Sequence, residues 1–307
     1  MSPSAPLWIL LNRSMEKAWN GIAGILWCCW RLTRRVRAAI STGVLWSSGI
    51  STSSVRPAEP EDVMKEGVRL PSHENSLPKR FYTAADVAKT GEGWAVQLDG
   101  RGIRTPMKSA LAVPTEALAR LIAQEWAAQG DRIDPSTMPL TRLAHGAIDA
   151  ASAKREAVLA EVVKYAGTDL LRHRAGESAL SRRQAKAWDG HLRWAEEVLG
   201  AHLPAVTGIL PAETSPQALE ALKAKAATYD DWQLTALMQA TALTTSAVLG
   251  FALVEGVVTA EDIFVTSRVD ENYQISRWGE DAEAKKRADH LKTECLAIGE
   301  MLGALSR

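Results

Sequence analysis

A carboxylate and an imidazole at helical spacing are the first groups of this chain that could do chemistry. Asp169 and His173 are four residues apart in a segment whose pattern indicates a helix, so the two side chains could meet on one face and exchange a proton. Arg172 and Arg174 flank the histidine, which favours a solvated surface pair. An enzyme site built from dispersed groups such as Asp169, His173 and His191 is the alternative interpretation.

The other histidines and the last cysteine indicate packing more than catalysis. His145 lies near Asp149 with no second histidine at metal-ligand spacing, so we predict a hydrogen-bonded structural histidine, and we interpret His191 and His202 in the same way. Cys295 falls on the apolar stripe of the last predicted helix, where burial makes a thiol unreactive.

Sequence motifs of known catalytic sites are missing from the chain. It contains no glycine-rich phosphate loop, no His-Glu-x-x-His zinc motif and no Gly-x-Ser-x-Gly nucleophile elbow. These absences favour a binding protein over an enzyme, and we expect no cofactor and no metal.

The formal charge is balanced over the whole chain but not along it. The 307 residues include 36 basic and 36 acidic side chains, which argues against a protein that holds nucleic acid by bulk positive charge. Residues 1–56 carry seven basic residues and one acidic residue, whereas residues 57–307 carry 29 basic and 35 acidic ones. Five of the eleven tryptophans lie within residues 1–46, which we call the leader. The leader is therefore expected to lie outside the main fold.

Three interpretations of the leader, residues 1–46, remain open. Its arginine-rich, serine-rich and nearly acid-free composition is typical of a mitochondrial transit peptide. Its apolar run, Trp19 to Trp30, is too short to span a bilayer but could associate with a membrane surface. Translation could also start later, at Met64. Residues 47–78 are rich in Ser, Pro and charge, and are predicted to be a disordered linker.

The folded part is predicted to open with β-strands. Lys79 to Val87 and Trp94 to Leu98 have strand character, and Asp99-Gly100 is a strong signal for a hairpin turn. Arg101 to Met107 is the expected return strand, and Ala110 to Val113 a further short one. Together they predict a small β-meander.

Helical patterns follow from Pro114 almost to the end of the chain. Apolar stripes with helical spacing occupy 118–126, 158–163, 188–199 and 288–305. Trp232 to Val254 carries no charged residue, and its polar residues favour a buried helix of a bundle over a membrane span. The fold class is therefore α+β: a small β-rich N-terminal domain at 79–135 with one helix, followed by a larger α-helical domain at 136–307.

A set of short motifs, in a fixed order from residue 79 to the C-terminus, resembles one family. It includes Lys79-Arg-Phe-Tyr82, Trp94-x-Val-x-Leu-Asp-Gly-Arg101, Val113-Pro-Thr115, Glu125-Trp126, Met138-Pro-Leu-Thr-Arg-Leu143, Thr168-Asp-Leu-Leu171, Gln184-x-x-x-Trp188-Asp189, and Tyr273-Gln-Ile275 with Trp278-Gly-Glu280. The family is the assembly chaperone that handles the α subunit of the catalytic head in mitochondrial and alphaproteobacterial ATP synthases. The chain departs from it at Arg172-His173, where members commonly have Cys-Tyr, and at Gly190, where proline is frequent.

The resemblance implies a chaperone and not an enzyme. Its partner would be the free α subunit of the F-type ATP synthase, with no nucleic acid, no stable membrane insertion and a monomeric state before binding. It would work in the bacterial cytoplasm, or alternatively in the mitochondrial matrix with residues 1–60 as a transit peptide. A membrane-tethered adaptor that uses the Trp- and Arg-rich leader as an interfacial anchor is the other alternative.

The resemblance also points to candidate residues. Glu280 stands beside the Trp-Gly pair where the family has an acid of suspected function, and Asp270, Glu271 and Asp281 would complete an acidic, partner-binding patch. Acids here could equally stabilise the start of the last helix, by about 0.3–1 kcal/mol each. Six residues are expected to be structural: Trp94, Trp126, Trp188 and Trp278 as packed side chains, Gly100 in the hairpin turn, and Gly279.

Overall fold

A computed structural model of the chain describes residues 77–151, 154–207 and 213–306. The leader, nearly all of the predicted linker and Met64 lie outside these residues. The chain divides into two compact units. Among the described residues, the first combines 77–80 with Asp131–Asp134, and in it Lys79 pairs with Arg132 in an isolated antiparallel bridge. The second consists of Phe81–Gly130 and Pro135–Arg307.

The second unit opens with an antiparallel sheet of four strands, as the sequence predicts. The strands are β1 (Ala85–Thr90), β2 (Gly93–Leu98), β3 (Arg101–Gly102) and β4 (Ala112–Val113). Strand β2 is central and pairs with the other three. Asp99 and Gly100 form the β2–β3 turn with φ of 47° and 76°, the positive values that favour glycine and aspartate there.

Three of the predicted strands, those that became β1, β3 and β4, are shorter than expected, and for β1 and β3 the reason is local. Strand β1 begins at Ala85 because the carboxylate of Asp99 accepts hydrogen bonds from the backbone N–H groups of Thr83 and Ala84 and holds that segment as a turn. These bonds lower the pKa of Asp99, the one to Ala84 most strongly. The return strand ends at Gly102 because the chain beyond Arg104 folds into a hydrogen-bonded loop.

The remainder of the second unit is mainly helical, which confirms the α+β class. The helices are α1 (Glu116–Ala127), α2 (Pro139–His145), α3 (Arg155–Gly167), α4 (Ser178–Leu199), α5 (Pro216–Ala227), α6 (Asp231–Thr244), α7 (Ala247–Val254), α8 (Ala260–Ser267), α9 (Val269–Trp278) and α10 (Ala282–Leu305). A π-helical turn, Gly146–Ala151, continues α2, and β5 (His173–Arg174) pairs in parallel with β6 (Val206–Thr207). The division into domains at residue 135 stays a prediction.

The charge-free segment 232–254 is not the single helix that the sequence predicts. Thr245 adopts a left-handed conformation with φ of 52°, which ends α6. The hydroxyl of Ser246 then accepts the N–H of Leu249 at 3.1 Å and starts α7. Every residue of α7 from Ala247 to Leu253 is buried, so these helices are core elements. No helix in the described part of the chain is long and apolar enough to cross a membrane.

The last helix, α10, is buried only in its C-terminal half. Cys295, Ile298 and Met301 are buried, whereas the residues from Ala282 to His290 are exposed or half-exposed. At the last turn, the hydroxyl of Thr115 donates to the carbonyl of Ala304 at 2.9 Å and ties α10 to the end of the sheet. The start of α10 therefore projects away from the core.

Candidate functional site

The junction between α9 and α10 carries Trp278, the most exposed of the large hydrophobic side chains in the described residues. Helix α9 ends at Trp278 and is followed by Gly279, whose φ of 88° is a conformation that residues other than glycine rarely adopt. The carboxylate of Asp281 accepts the backbone N–H of Ala284 at 2.8 Å and caps α10. These two residues end α9 and start α10, and Trp278 and Glu280 lie exposed beside them. We call Trp278–Asp281 the α9–α10 corner.

Trp278 lies on the surface of this corner, with 78% of its area exposed, so the expectation that it packs in the core is wrong. The reason is helical phase. Tyr273 is the buried residue of α9, and a residue five positions later lies about 140° further round a helix. Exposure of a large aromatic ring to water is energetically unfavourable. Exposed rings of this size are typical of surfaces that a partner covers.

The four predicted partner-binding acids differ in their surroundings. Glu271, Glu280 and Asp281 are exposed, whereas Asp270 is half-buried and accepts a hydrogen bond from Gln184 at 2.7 Å. Asp281 is the residue that caps α10, and Glu280 lies 3.8 Å from Lys285 in an exposed ion pair. The helix-start interpretation therefore fits Asp281, and Glu280 is available for contact. Partner binding by these acids stays a prediction.

A rigid frame on helix α4 supports α9. The guanidinium groups of Arg183 and Arg277 lie 5.0 Å and 5.8 Å from the ring centre of Tyr273, and the Tyr273 hydroxyl donates to Glu177. Trp188 of α4 is fully buried, and its indole N–H donates to the carbonyl of Thr266 at 2.9 Å. The α9–α10 corner thus extends from fixed elements, which limits the conformational entropy that a partner would have to remove.

The remaining structural candidates lie in or near the sheet. Trp126 is 5% exposed and packs edge-on against Tyr82, whose hydroxyl donates to the Trp126 carbonyl at 2.7 Å. Trp94 is half-buried on β2, with the Lys89 ammonium 5.8 Å from its ring centre. Gly100 occupies the hairpin turn.

The interpretation of Asp169 as part of a surface pair is wrong. Its carboxylate is fully buried and accepts hydrogen bonds from the Leu171 N–H at 3.0 Å, the Ser246 hydroxyl at 2.8 Å and the Val248 N–H at 3.0 Å. None of these partners is His173. Burial raises the pKa of Asp169 to about 6, against the lowering effect of these hydrogen bonds. Asp169 joins the chain after α3 to the start of α7, a structural role.

The flanking arginines are buried as well, because α3 ends at Gly167 and the chain continues through a short 3₁₀ turn, Leu170–Arg172, instead of an α-helix. The Arg172 guanidinium donates to the carbonyl of Gly167 at 3.0 Å and to that of Glu213 at 3.2 Å. Arg174 forms an ion pair with Asp189 at 2.5 Å and lies 5.1 Å from the Trp188 ring. Both cations are therefore used in packing, and the predicted helical face does not exist.

His145 is buried, but the expectation that it is hydrogen-bonded is wrong. Neither ring nitrogen has a hydrogen-bond partner within the described ranges, and 7% of the residue is exposed. Burial lowers its pKa to about 4, although the nearby Asp149 acts in the opposite direction. His202, in contrast, is exposed and lies 2.9 Å from Glu196. His191 is half-buried, and burial lowers its pKa.

Replacement of His145 by leucine is expected to reduce acid destabilisation. Between pH 6.5 and 4 the unfolded imidazole is protonated and the buried one is not, so stability is lost as the pH falls through this window. At pH 5 this loss is about 2 kcal/mol. Urea unfolding at pH 7.5 and pH 5 should show a fall in unfolding free energy that is smaller by this amount in His145→Leu. A His202→Leu variant is the surface control, and an equal fall in all three proteins would contradict the prediction.

The described residues contain no group of three metal-ligating side chains. Cys295 is buried, and burial raises the pKa of its thiol to about 12, so at neutral pH it carries no nucleophilic thiolate. The exposed side chains of the α9–α10 corner are suited to contact with another molecule.

Comparisons with known proteins point to one family. A family model described as ATP12 chaperone protein matches residues 79–196. The crystal structure of Atp12 from Paracoccus denitrificans is 40% identical, with a TM-score of 0.68 and coverage of 74% of this chain and 98% of that one. A candidate chaperone from Agrobacterium tumefaciens is 37% identical, with a TM-score of 0.70 and coverage of 75% and 87%. The protein "atp12, mitochondrial" of Schizosaccharomyces pombe is 28% identical over 220 residues, which are 66% of this chain and 74% of that protein.

Proposed function

Because the chain belongs to the ATP12 chaperone protein family, we propose that it is an assembly chaperone that binds the free α subunit of the F-type ATP synthase head. The observation that carries this proposal is the 40% identity to Paracoccus Atp12 over 98% of that protein. The residues that resemble the family include the α9–α10 corner, where an exposed tryptophan and an acid stand together.

The physical task of such a chaperone is to cover an interface until the final partner arrives. A subunit that awaits its neighbours exposes apolar surface, which aggregates when unpaired. A binding protein of moderate affinity keeps that surface from water, and the cognate β subunit displaces it through a larger interface. This cycle needs no covalent chemistry, so we propose that the protein binds and releases without catalytic turnover.

The corner offers two kinds of contact. The Trp278 ring would enter an apolar hollow of the α subunit, and Glu280 beside it would face a basic group. Exposed aromatic residues at the centre of an interface carry a large share of binding energy, and a charge at the rim steers association. We propose that free chaperone is monomeric and binds one subunit.

The protein is expected to act in the compartment where the α subunit is assembled. The similar proteins include one from Paracoccus denitrificans and a mitochondrial one from Schizosaccharomyces pombe. We propose the bacterial cytoplasm, with the mitochondrial matrix as the alternative. Intact-mass analysis of the native protein distinguishes them, because removal of about 60 N-terminal residues would indicate import.

The test of the proposed function is co-purification of the full chain with the α subunit from the same source, with the β subunit as the control. Retention of α alone, with an increase in its solubility, is the expected result. Failure to retain either subunit at low and moderate salt would overturn the proposal.

Reversal of charge at Glu280 is expected to weaken binding of the α subunit about tenfold without lowering the melting temperature, since Asp281 and not Glu280 caps α10. Equilibrium binding and thermal unfolding of Glu280→Lys measure the two effects. Glu300→Lys, on the exposed face near the end of α10, is the matched control. A melting temperature that falls with Glu280→Lys would instead assign this acid to the start of the helix.

A further inference from the structure

Helix α9, which ends at Trp278, is held in place by very little apolar burial. Tyr273 is the one buried residue among its ten, whereas each other helix defined above buries at least three. Within the described ranges, no hydrogen bond or ion pair joins a side chain of α9 to one of α10. The placement of α9 therefore depends on polar contacts with its other neighbours.

Helix α4 supplies these polar contacts. The side-chain amide of Gln184 donates to the carboxylate of Asp270 at 2.7 Å, near the start of α9. Glu177, the residue before the first turn of α4, accepts the hydroxyl of Tyr273. Later positions in α9 thus contact earlier positions in α4, so the two helices run antiparallel. We call these two contacts the α4–α9 hydrogen bonds.

The bond to Asp270 is part of a buried relay. Gln184 is 2% exposed, and its amide oxygen accepts the backbone N–H of Ala175 at 2.8 Å while its amide nitrogen donates to Asp270. A buried amide is costly unless both of its ends are hydrogen-bonded, so Gln184 requires the acceptor that Asp270 provides. The surroundings of Asp270 are thus unlike those of the exposed acids at the corner.

The positions of the α4–α9 hydrogen bonds determine how Trp278 is presented. Asp270 and Tyr273 are three residues apart, so the two bonds fix both the direction of α9 and its rotation about its own axis. Beyond Tyr273 the helix continues for five residues to Trp278, about 7.5 Å. Because this last part is helical, the orientation set at Tyr273 is transmitted to the α9–α10 corner.

We propose that Asp270 and Tyr273 are positioning residues for client binding, which act by holding the α9–α10 corner in one orientation. This inference rests on the proposed function. The two residues act through Trp278 and do not themselves touch the client. A surface that is ordered before binding loses less conformational entropy when the partner docks, and orientations that cannot bind reduce the apparent affinity.

The first test is Tyr273→Phe in the full chain, which keeps the ring and removes its hydrogen bond to Glu177. The variant is expected to bind the α subunit about fivefold more weakly, as for a corner that is correctly oriented about one fifth of the time. Hydrogen exchange of the free protein should be about tenfold faster at the backbone amides that follow Tyr273 in α9. Tyr229→Phe, which removes the hydroxyl bond to Glu255, is the matched control and is expected to bind like the wild type.

A double-mutant cycle tests whether Tyr273 acts through the corner. In a Trp278→Ala background, Tyr273→Phe is expected to weaken binding of the α subunit by less than about twofold, because the side chain that it positions is absent. Equal weakening in the two backgrounds would overturn the positioning role.

Two substitutions of Asp270 separate positioning from direct contact with the client. Asp270→Ala removes the acceptor of Gln184 and is expected to weaken binding about fivefold. Asp270→Asn loses the charge but keeps an oxygen that accepts the Gln184 amide, so it is expected to restore binding to within about twofold of the wild type. If Asp270→Asn bound as weakly as Asp270→Ala, the charge would be what matters and the positioning role would be overturned.

The outcomes also separate this inference from the proposed function. If the wild type binds the α subunit and Tyr273→Phe binds it equally well, the inference is overturned and the proposed function stands. Weaker binding by Tyr273→Phe without faster exchange in α9 would overturn the inference as well. If the wild type does not bind the α subunit, the proposed function fails and the inference fails with it, whatever the exchange rates show.

Discussion

Replacement of Asp169 by alanine is expected to lower the free energy of unfolding by about 3–5 kcal/mol. The carboxylate is fully buried and satisfies two backbone N–H groups and the Ser246 hydroxyl. Alanine leaves all three donors in the interior without an acceptor. It also frees the start of α7 from the segment that follows α3. Chemical denaturation at pH 7.5 measures the loss.

The pH dependence of the same site gives an independent check. Burial raises the pKa of Asp169 to about 6, so the folded state takes up a proton below pH 6 that the unfolded state takes up only near pH 4. From this group alone, stability increases as the pH falls from 6 to 4. The side chain of Asp169→Asn cannot titrate. The unfolding free energy of the wild type minus that of Asp169→Asn should therefore be larger at pH 5 than at pH 7.5.

Asp289→Ala, an exposed acid on α10, is the matched control for Asp169→Ala and is expected to change stability by less than about 0.5 kcal/mol. If Asp169→Ala were equally mild, the buried hydrogen bonds would contribute little, and the connection between α3 and α7 would have to be held by packing alone.

Asp169 also shows where prediction from the sequence fails. Helical spacing placed it with His173 on a solvated face, but the chain leaves α3 at Gly167 and turns. The partners that bury Asp169 and Arg172, such as Ser246 and Glu213, lie tens of residues away in the sequence. Local periodicity carries no information about such contacts. An arginine next to a histidine in the sequence is compatible with an exposed surface and with a buried junction alike.

Elements set by local chemistry were predictable. The Asp99-Gly100 turn requires positive φ, and the stripe from Trp188 to Leu199 ends at Gly200 in a left-handed conformation. The break between α6 and α7 at Thr245 was not predictable, because neither a glycine nor a proline marks it in the sequence. It forms because Ser246 caps α7 while its hydroxyl binds Asp169.

The α9–α10 corner was predictable in part. Motif resemblance located Trp278, Gly279 and Glu280, but burial of the tryptophan was assumed from its residue type. Only the phase of α9 relative to Tyr273 places the ring in water. Similarly, the sequence allowed Glu280 as well as Asp281 to stabilise the start of the last helix, whereas in the structure Asp281 caps it.

Replacement of Trp278 by alanine is expected to weaken binding of the α subunit by about thirtyfold or more, with little change in stability. The ring is 78% exposed, so its removal leaves no cavity in the free protein. Truncation of an exposed aromatic residue that becomes buried at an interface costs about 2 kcal/mol or more of binding free energy. Binding isotherms and thermal unfolding of the same preparations measure the two quantities.

The matched control is Val265→Ala on α8, which removes a 53% exposed apolar side chain outside the corner. Trp188→Ala provides the opposite case, because removal of its fully buried ring should cost about 3–5 kcal/mol of stability. If Trp278→Ala bound the α subunit as tightly as Val265→Ala, the corner would not be the contact surface. Binding of the α subunit would then have to reside on another surface of the chain.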